Sequence, residues 1–182
     1  IYILLVIFIA GASLLTYLII YVPRFDYIQG RIFSFFNRET GTHNFQSDKA
    51  IESITSGGFF GKGIGEGVLK NRVPEAHTDY IISVISEEFG VVAIMLILLL
   101  FLILIYMVFK KISFETNDKA KLILIGSISL ILMQATIHIG VNIRLFPTTG
   151  MTLPFLSYGG SSIISTSILA GIILNLTKRK IT

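Results

Sequence analysis

The sequence has no cysteine among its 182 residues, which excludes disulfides and thiolate metal sites. It is also poor in charge, since 14% of the residues are Asp, Glu, Lys or Arg while 53% are hydrophobic. Soluble domains are about one-quarter charged. The balance therefore excludes an ordinary soluble domain and indicates a polytopic membrane protein. The first apolar run lacks a basic leader and a small-residue cleavage site, so we expect no cleavable signal peptide.

The net charge of +4 does not indicate nucleic-acid binding. The basic residues form short clusters beside apolar runs, which is typical of the cytoplasmic anchors of membrane helices. Those clusters contain Lys110, Lys111, Lys119, Lys121, Lys178, Arg179 and Lys180. We therefore predict contact with membrane lipids and no nucleic-acid partner.

Four apolar stretches are long enough to cross a bilayer, which takes roughly 20 helical residues. The predicted transmembrane helices are residues 1–22, 80–109, 122–141 and 161–177. The sequence thus predicts an all-α integral membrane protein, a polytopic helical bundle that forms a single membrane domain. The short loop 110–121 and the last basic cluster lie on one side, which should be the cytoplasm. The long loop 23–79 and residues 142–160 then face outward.

Residues 142–160 contain two prolines and several glycines and are too broken for one helix. We predict a re-entrant or interfacial hairpin, because irregular backbone is tolerated at membrane depth only where protein or a cavity satisfies its polar groups.

Residues 57–67 (GGFFGKGIGEG) form a glycine-dense loop that matches neither a Walker loop nor a dinucleotide fingerprint. Two interpretations remain open for it. It is a tight loop folded back onto the membrane face, or its backbone amides cradle phosphate oxygens.

Residues 74–79 (PEAHTD) join the polar loop to the second apolar stretch. Titratable groups at such a membrane–water boundary can meet a lipid-linked substrate from the water side. The simpler alternative is that Asp79 or Thr78 only caps the second transmembrane helix.

Four motifs together resemble the SEDS family of cell-wall polymerases, the group that contains FtsW, RodA and SpoVE. They are residues 56–65 (SGGFFGKGIG), 74–79 (PEAHTD), 87–90 (EEFG) and 147–162 (PTTGMTLPFLSYGGSS). The second and fourth resemble the division branch (FtsW) more than the elongation branch (RodA). Family members typically have ten transmembrane helices, of which this chain resembles the last four, so we expect a partial sequence. The chain departs from the family pattern at Tyr80, where Phe is usual, and at Thr149, where Lys is usual.

The resemblance implies a peptidoglycan glycosyltransferase that polymerises lipid II into β-1,4 glycan strands during cell division. Lipid II carries its disaccharide-pentapeptide on undecaprenyl diphosphate, and the reaction would be an inverting hexosyl transfer. The other implied partners are a class B penicillin-binding protein with transpeptidase activity and further division proteins. The implied location is the bacterial cytoplasmic (inner) membrane, with the active site facing outward. The family's essential aspartate falls on Asp79.

This chemistry needs a base for the acceptor hydroxyl and charge stabilisation for the departing diphosphate. Diphosphate leaves without protonation, so one carboxylate suffices, and we predict Asp79 as the general base. The other candidate substrate-binding residues are His77, Glu75, Lys62, Lys70, Arg72, Arg144, Ser157 and Tyr158. Each has a simpler interpretation: the cations and Glu75 as solvated loop charges, His77 as a structural hydrogen-bond partner, and the Ser157–Ser162 stretch as close packing through small residues.

No residue spacing resembles a tight metal site. We expect no tightly bound cofactor, although a divalent cation (Mg or Mn) can accompany the diphosphate. Glu87 and Glu88 are expected to pair within the bundle, and His138 to be a packing residue.

Two rival functions remain open. A lipid II flippase would suit the intramembrane carboxylates and the broken segment 147–162. A non-catalytic scaffold of the division machinery would need neither Asp79 nor a substrate.

Overall fold

In the computed structural model the chain is described at residues 2–36, 42–73 and 76–178. Every regular element within those ranges is helical, which confirms the predicted all-α fold. The α-helices are α1 (Tyr2–Tyr21), α2 (Asp26–Phe36), α3 (Thr42–Gly57), α4 (Leu69–Arg72), α5 (Ile81–Phe114), α6 (Asp118–Asn142) and α7 (Gly160–Thr177), with a 3-10 turn at Pro23–Phe25.

Among these described elements, α1, α5, α6 and α7 are long and apolar enough to cross a membrane. The four predicted apolar helices are therefore confirmed. Their bounds differ at the helix ends: α5 extends beyond residue 109 to Phe114, and α6 begins at Asp118, before residue 122. The total of ten helices stays a prediction.

The chain divides into two compact units, Ile1–Phe45 and Gln46–Thr182. In the first unit, the apolar side chains of α1 are exposed all round, as suits a helix surrounded by hydrocarbon. In α2, the guanidinium of Arg31 lies 4.3 Å over the ring of Tyr27 and hydrogen-bonds its hydroxyl. The candidate site lies entirely within the second unit.

The segment predicted as a long loop, residues 23–79, contains α2, α3 and α4. Within the second unit, α3 and α4 are held by apolar residues that pack against the start of α5 and the end of α6. This buried cluster comprises Ala50, Leu69, Val73, Ala76, Tyr80, Val84 and Val141. Scattered apolar residues in a polar sequence therefore form a cap over the adjoining ends of α5 and α6.

A break interrupts α5 at Gly90, whose φ of 77° and ψ of −175° are not helical. In an unbroken helix the amides of Val91 and Val92 would donate to carbonyls four residues earlier. Here they donate instead to Gly58 O (2.9 Å) and Phe59 O (3.3 Å) in the glycine-dense loop. The loop thus supplies the acceptors that the break removes from α5.

The same loop also supplies the missing donors. The carbonyls of Glu87 and Glu88, which lose their helical partners at the break, accept from Lys62 N (2.9 Å) and Gly63 N (3.1 Å). The structure therefore folds the loop back against α5, and these two amides are not available to a phosphate. Backbone groups in a membrane bundle need such partners because lipid offers none.

The segment between α6 and α7, residues 143–159, folds back alongside α6. Gln134 Nε2 donates to the Thr152 carbonyl (3.0 Å), and His138 Nδ1 lies 2.7 Å from the Met151 carbonyl. Gln134 precedes Asn142, the last residue of α6, by eight residues, or about 12 Å along a helix. The predicted hairpin thus runs alongside α6 over roughly two turns, while its depth in a membrane stays a prediction.

We expect Gly90→Ala to destabilise the protein. A Cβ at this position would lie 2.2 Å from Phe59 O, and the backbone conformation is one that essentially only glycine adopts. The backbone strain alone should cost about 1–3 kcal/mol, measured as a lower unfolding temperature of the detergent-solubilised protein. Gly126→Ala in α6 is the matched control, because nothing lies within 4 Å of a Cβ there. Equal stability of both variants would contradict the exchange of backbone bonds between the loop and α5.

Candidate active site

The segment before α5 is docked on the hairpin through its backbone. Tyr158 N donates to His77 O at 3.1 Å, and the buried hydroxyl of Ser157 donates to Thr78 O at 2.7 Å. The Ser157 oxygen also accepts from Leu153 N at 2.8 Å. The two predicted residues Ser157 and Tyr158 therefore contact the predicted His77–Asp79 motif, through the Ser157 hydroxyl and the Tyr158 backbone amide.

Asp79 is held by its carbonyl, which accepts from the side-chain amide of Asn142 at 2.9 Å. Its carboxylate faces Gly150 of the hairpin, where a Cβ would lie 3.6 Å from Asp79 Oδ2. Gly150 has a φ of +72°, which favours glycine at this position. The half-buried carboxylate is thus fixed at the rim of the bundle beside a residue without a side chain.

The expectation that Asp79 or Thr78 is the N-cap residue of α5 was wrong. The N-cap residue is Tyr80, whose side chain makes no capping hydrogen bond and is buried instead. The Tyr80 side chain packs in the apolar cluster under α3 and α4 instead of capping α5.

Lys62, a predicted cation for diphosphate, pairs with Glu87 at 2.9 Å. The Glu87 side chain is only 3% exposed and also accepts from Val68 N and Leu69 N, each at 3.0 Å. The carboxylate therefore fastens both ends of the loop segment 62–69 to α5.

Lys70 and Arg144, two further predicted cations, also have carboxylate partners. Lys70 Nζ contacts Glu88 at 3.0 Å and donates to Gly65 O at 2.7 Å, so it clamps the loop a second time. Arg144, in the turn after α6, pairs with Asp48 of α3. Glu87 and Glu88 thus form ion pairs with Lys62 of the glycine-dense loop and Lys70 of α4, whereas we expected them to pair within the bundle.

Arg72 and Lys62 share a small cavity of about 170 Å³. Its other polar lining includes Lys49 and Glu52, which form an ion pair, and the hydrogen bond from Lys49 lowers the pKa of the Glu52 carboxyl. Glu87 is the second carboxylate in the lining, so three cations face two carboxylates and the net positive charge suits an anionic group.

The predicted residue Glu75 lies outside the described residues. Within residues 2–36, 42–73 and 76–178, no three His, Cys, Asp or Glu side chains are grouped to hold a metal ion. The side chains of His77, in the docked segment, and of Tyr158, in the hairpin, are both exposed.

Sequence reasoning missed Asn142, which is fully buried and contacts Asp79. It stands at the end of an apolar helix, and a lone amide there was the available signal. Its partner Ser83, on α5, is 59 positions away in the sequence, so the pairing cannot be inferred from local spacing.

A larger cavity of about 800 Å³ lies between α5 and α7, toward the ends that carry Lys110 and Thr177. Its lining is mostly apolar, and its charged side chains are Lys110 and Lys111, so it offers no carboxylate as a base. Size alone would make it the first candidate, but the chemistry favours the Asp79 segment.

The fold and the site together define a multi-pass helical membrane protein that fixes a carboxylate at one end of its bundle. The family model for FtsW, RodA and SpoVE, described as a cell cycle protein, matches residues 1–181. The chain belongs to this family, as the four motifs indicated.

Similar curated proteins are named "Probable peptidoglycan glycosyltransferase FtsW". The protein from Enterococcus hirae is 41% identical over 138 residues, which are 75% of this chain and 35% of the relative. The protein from Caulobacter vibrioides is 39% identical over 158 residues, which are 86% of this chain and 40% of the relative. The chain spans less than half the length of these relatives.

A solved structure has the same fold. It comes from a study of the structural coordination of polymerization and crosslinking by a peptidoglycan synthase complex. It aligns with this chain with a TM-score of 0.69 and 28% sequence identity. The alignment covers 96% of this chain and 47% of the solved chain.

We expect Ser157→Ala to loosen the docked segment, because it leaves Thr78 O and Leu153 N without the hydroxyl that joins them. Unsatisfied buried groups should cost about 1–3 kcal/mol, and thermal unfolding in detergent measures the loss. Ser165→Ala is the control, since that exposed hydroxyl bonds only carbonyls of its own helix. A stability loss no larger than the control's would show that the Ser157 hydroxyl does not hold the segment.

Proposed function

We propose that the complete protein polymerises lipid II into β-1,4 glycan strands during cell division, with Asp79 as the general base. The observation that carries this proposal is the Asp79 carboxylate fixed beside Gly150, in a segment bonded to the hairpin and to α6. The names of the FtsW relatives support the reaction and the substrate class.

The reaction is a displacement at the anomeric carbon of the donor sugar. Asp79 takes the proton of the acceptor hydroxyl. At the same time the hydroxyl oxygen bonds to the anomeric carbon, whose configuration is inverted. The bond from the carbon to the diphosphate breaks, and undecaprenyl diphosphate leaves with the electron pair. A base in contact with the acceptor proton contributes roughly 10²–10⁴-fold to such a step.

Cationic side chains stabilise the charge that develops on the diphosphate. Arg72, which lines the small cavity, is the best candidate for this role, since the other predicted cations, Lys62, Lys70 and Arg144, pair with Glu87, Glu88 and Asp48. A loosely held Mg²⁺ or Mn²⁺ on the diphosphate would assist in the same way. The apolar cavity between α5 and α7 suits part of the polyprenyl tail.

The proposed location is the bacterial cytoplasmic membrane, with Asp79 facing outward. The lysines at the adjoining ends of α5 and α6 and after α7 support this orientation, because the cytoplasmic side carries an excess of such residues. The proposed protein partners are a class B penicillin-binding protein transpeptidase and other division proteins. The similar fold of a chain from a peptidoglycan synthase complex supports a partnership of this kind.

A flippase function has less support. The main sequence feature in its favour was the pair of intramembrane carboxylates, Glu87 and Glu88. Both form ion pairs, with Lys62 and Lys70 respectively, and so are not free to bind a transported group. A scaffold function makes a different prediction, since it requires no particular side chain at Asp79.

We expect Asp79→Asn to abolish glycan synthesis while leaving the fold intact, because Asn keeps the shape but cannot take the proton. The complete protein would be purified with its transpeptidase partner and given lipid II, and glycan length would be read on a gel. The expected loss is roughly 10²–10⁴-fold in rate. Glu66→Gln is the matched control, because it neutralises an exposed carboxylate in the same polar region.

Strands of equal length and yield from Asp79→Asn and wild type would remove Asp79 from the chemistry. No strands from a folded, partner-bound wild type would contradict polymerisation and favour transport or scaffolding.

A further inference from the structure

The side chain of Asn142 uses its full hydrogen-bonding capacity inside the bundle. Its oxygen accepts from Ser83 Oγ (2.7 Å) and Ser83 N (3.3 Å). Its nitrogen donates to Asp79 O and His138 O, both at 2.9 Å. An amide has two donors and two acceptor sites, so all four are occupied in a residue with 0% exposure.

This arrangement fixes the amide in one orientation. A flip would point the nitrogen at the Ser83 amide and the oxygen at two carbonyls, which would place like partners together. Ser83 N is also one of the first amides of α5, which have no partner within their own helix. The side-chain oxygen of Asn142, on α6, therefore caps α5. The nitrogen of the same amide holds Asp79, which precedes α5 by two positions.

Asn142 continues a polar row on α6. Gln134, His138 and Asn142 are spaced by four residues and so lie on one face of the helix. The first two bond the Thr152 and Met151 carbonyls of the hairpin. One face of α6 thus holds both the hairpin that contains Gly150 and the carbonyl of Asp79.

We propose that Asn142 is a positioning residue that aims the Asp79 carboxylate at the acceptor hydroxyl. This inference rests on the function proposed above. Asn142 lies within α6 and is fully buried, so its role is exerted through the backbone of Asp79. Misplacement of a reacting group by about 1 Å can cost on the order of 10²-fold in rate.

Asn142→Leu keeps the branched side-chain shape and removes the amide. We expect kcat for lipid II polymerisation to fall by roughly 10–100-fold, with KM little changed, since an interaction made for the transition state is lost. Rates would be taken from the folded, monodisperse complex. Ser86→Ala is the control, because this buried hydroxyl on α5 has no hydrogen-bond partner among the described residues.

A purely structural role must be separated from positioning. The double variant Asn142→Leu with Ser83→Ala removes the serine hydroxyl that the single change leaves buried and unpaired, so part of the lost stability should return. Positioning predicts that kcat stays low in the double variant, because the Asp79 carbonyl is still not held. Recovery of kcat together with the unfolding temperature would overturn the proposal.

If Asn142→Leu does not fold, Asn142→Ala provides the test, since it loses the donor to Asp79 and places no larger group in the buried site. It should have the same low kcat, and a wild-type kcat would overturn the proposal. Full kcat in Asn142→Leu, beside an inactive Asp79→Asn, would overturn the positioning role alone. A folded wild type that makes no glycan would overturn the function on which the inference rests.

Discussion

The structure depends on one constraint: backbone groups freed within the bundle must find partners in protein, because lipid supplies none. The break at Gly90 meets this constraint by exchange, since the glycine-dense loop accepts from Val91 and Val92 and donates to the carbonyls of Glu87 and Glu88. The two carboxylates then fasten the same loop through ion pairs with lysines. A flexible, glycine-rich stretch is thereby converted into a fixed part of the bundle.

The candidate site follows the same rule. The carbonyls of three successive residues, His77, Thr78 and Asp79, each accept from a donor that lies far away in the sequence. Those donors belong to the hairpin and to the end of α6. The orientation of the Asp79 carboxylate is therefore determined by helix packing and hairpin contacts, which is how a catalytic group on an irregular segment can be kept in place.

The apolar helices could be predicted from the sequence because a membrane requires long uncharged stretches. The motif around Asp79 and the contact of Ser157 with it lay within reach, because family resemblance marked both segments. The roles of Lys62 and Lys70 could not be predicted from the sequence. A lysine that binds substrate and a lysine that pairs with a carboxylate 18 or more positions away have the same local sequence pattern. Asn142 was missed for the same reason: its four bonds depend on how α5, α6 and the Asp79 segment meet.

The central claim, that the Asp79 segment docks on the hairpin, can be tested most directly by cysteine crosslinking. The chain has no native cysteine, so the pair His77→Cys and Tyr158→Cys would give the only thiols of this chain. Their backbones share a 3.1 Å hydrogen bond and both side chains are exposed. We predict rapid disulfide formation in membranes under mild oxidant, and none when the second cysteine replaces Tyr106 near the other end of α5. Failure of the first pair to crosslink, or equal crosslinking of both, would contradict the account.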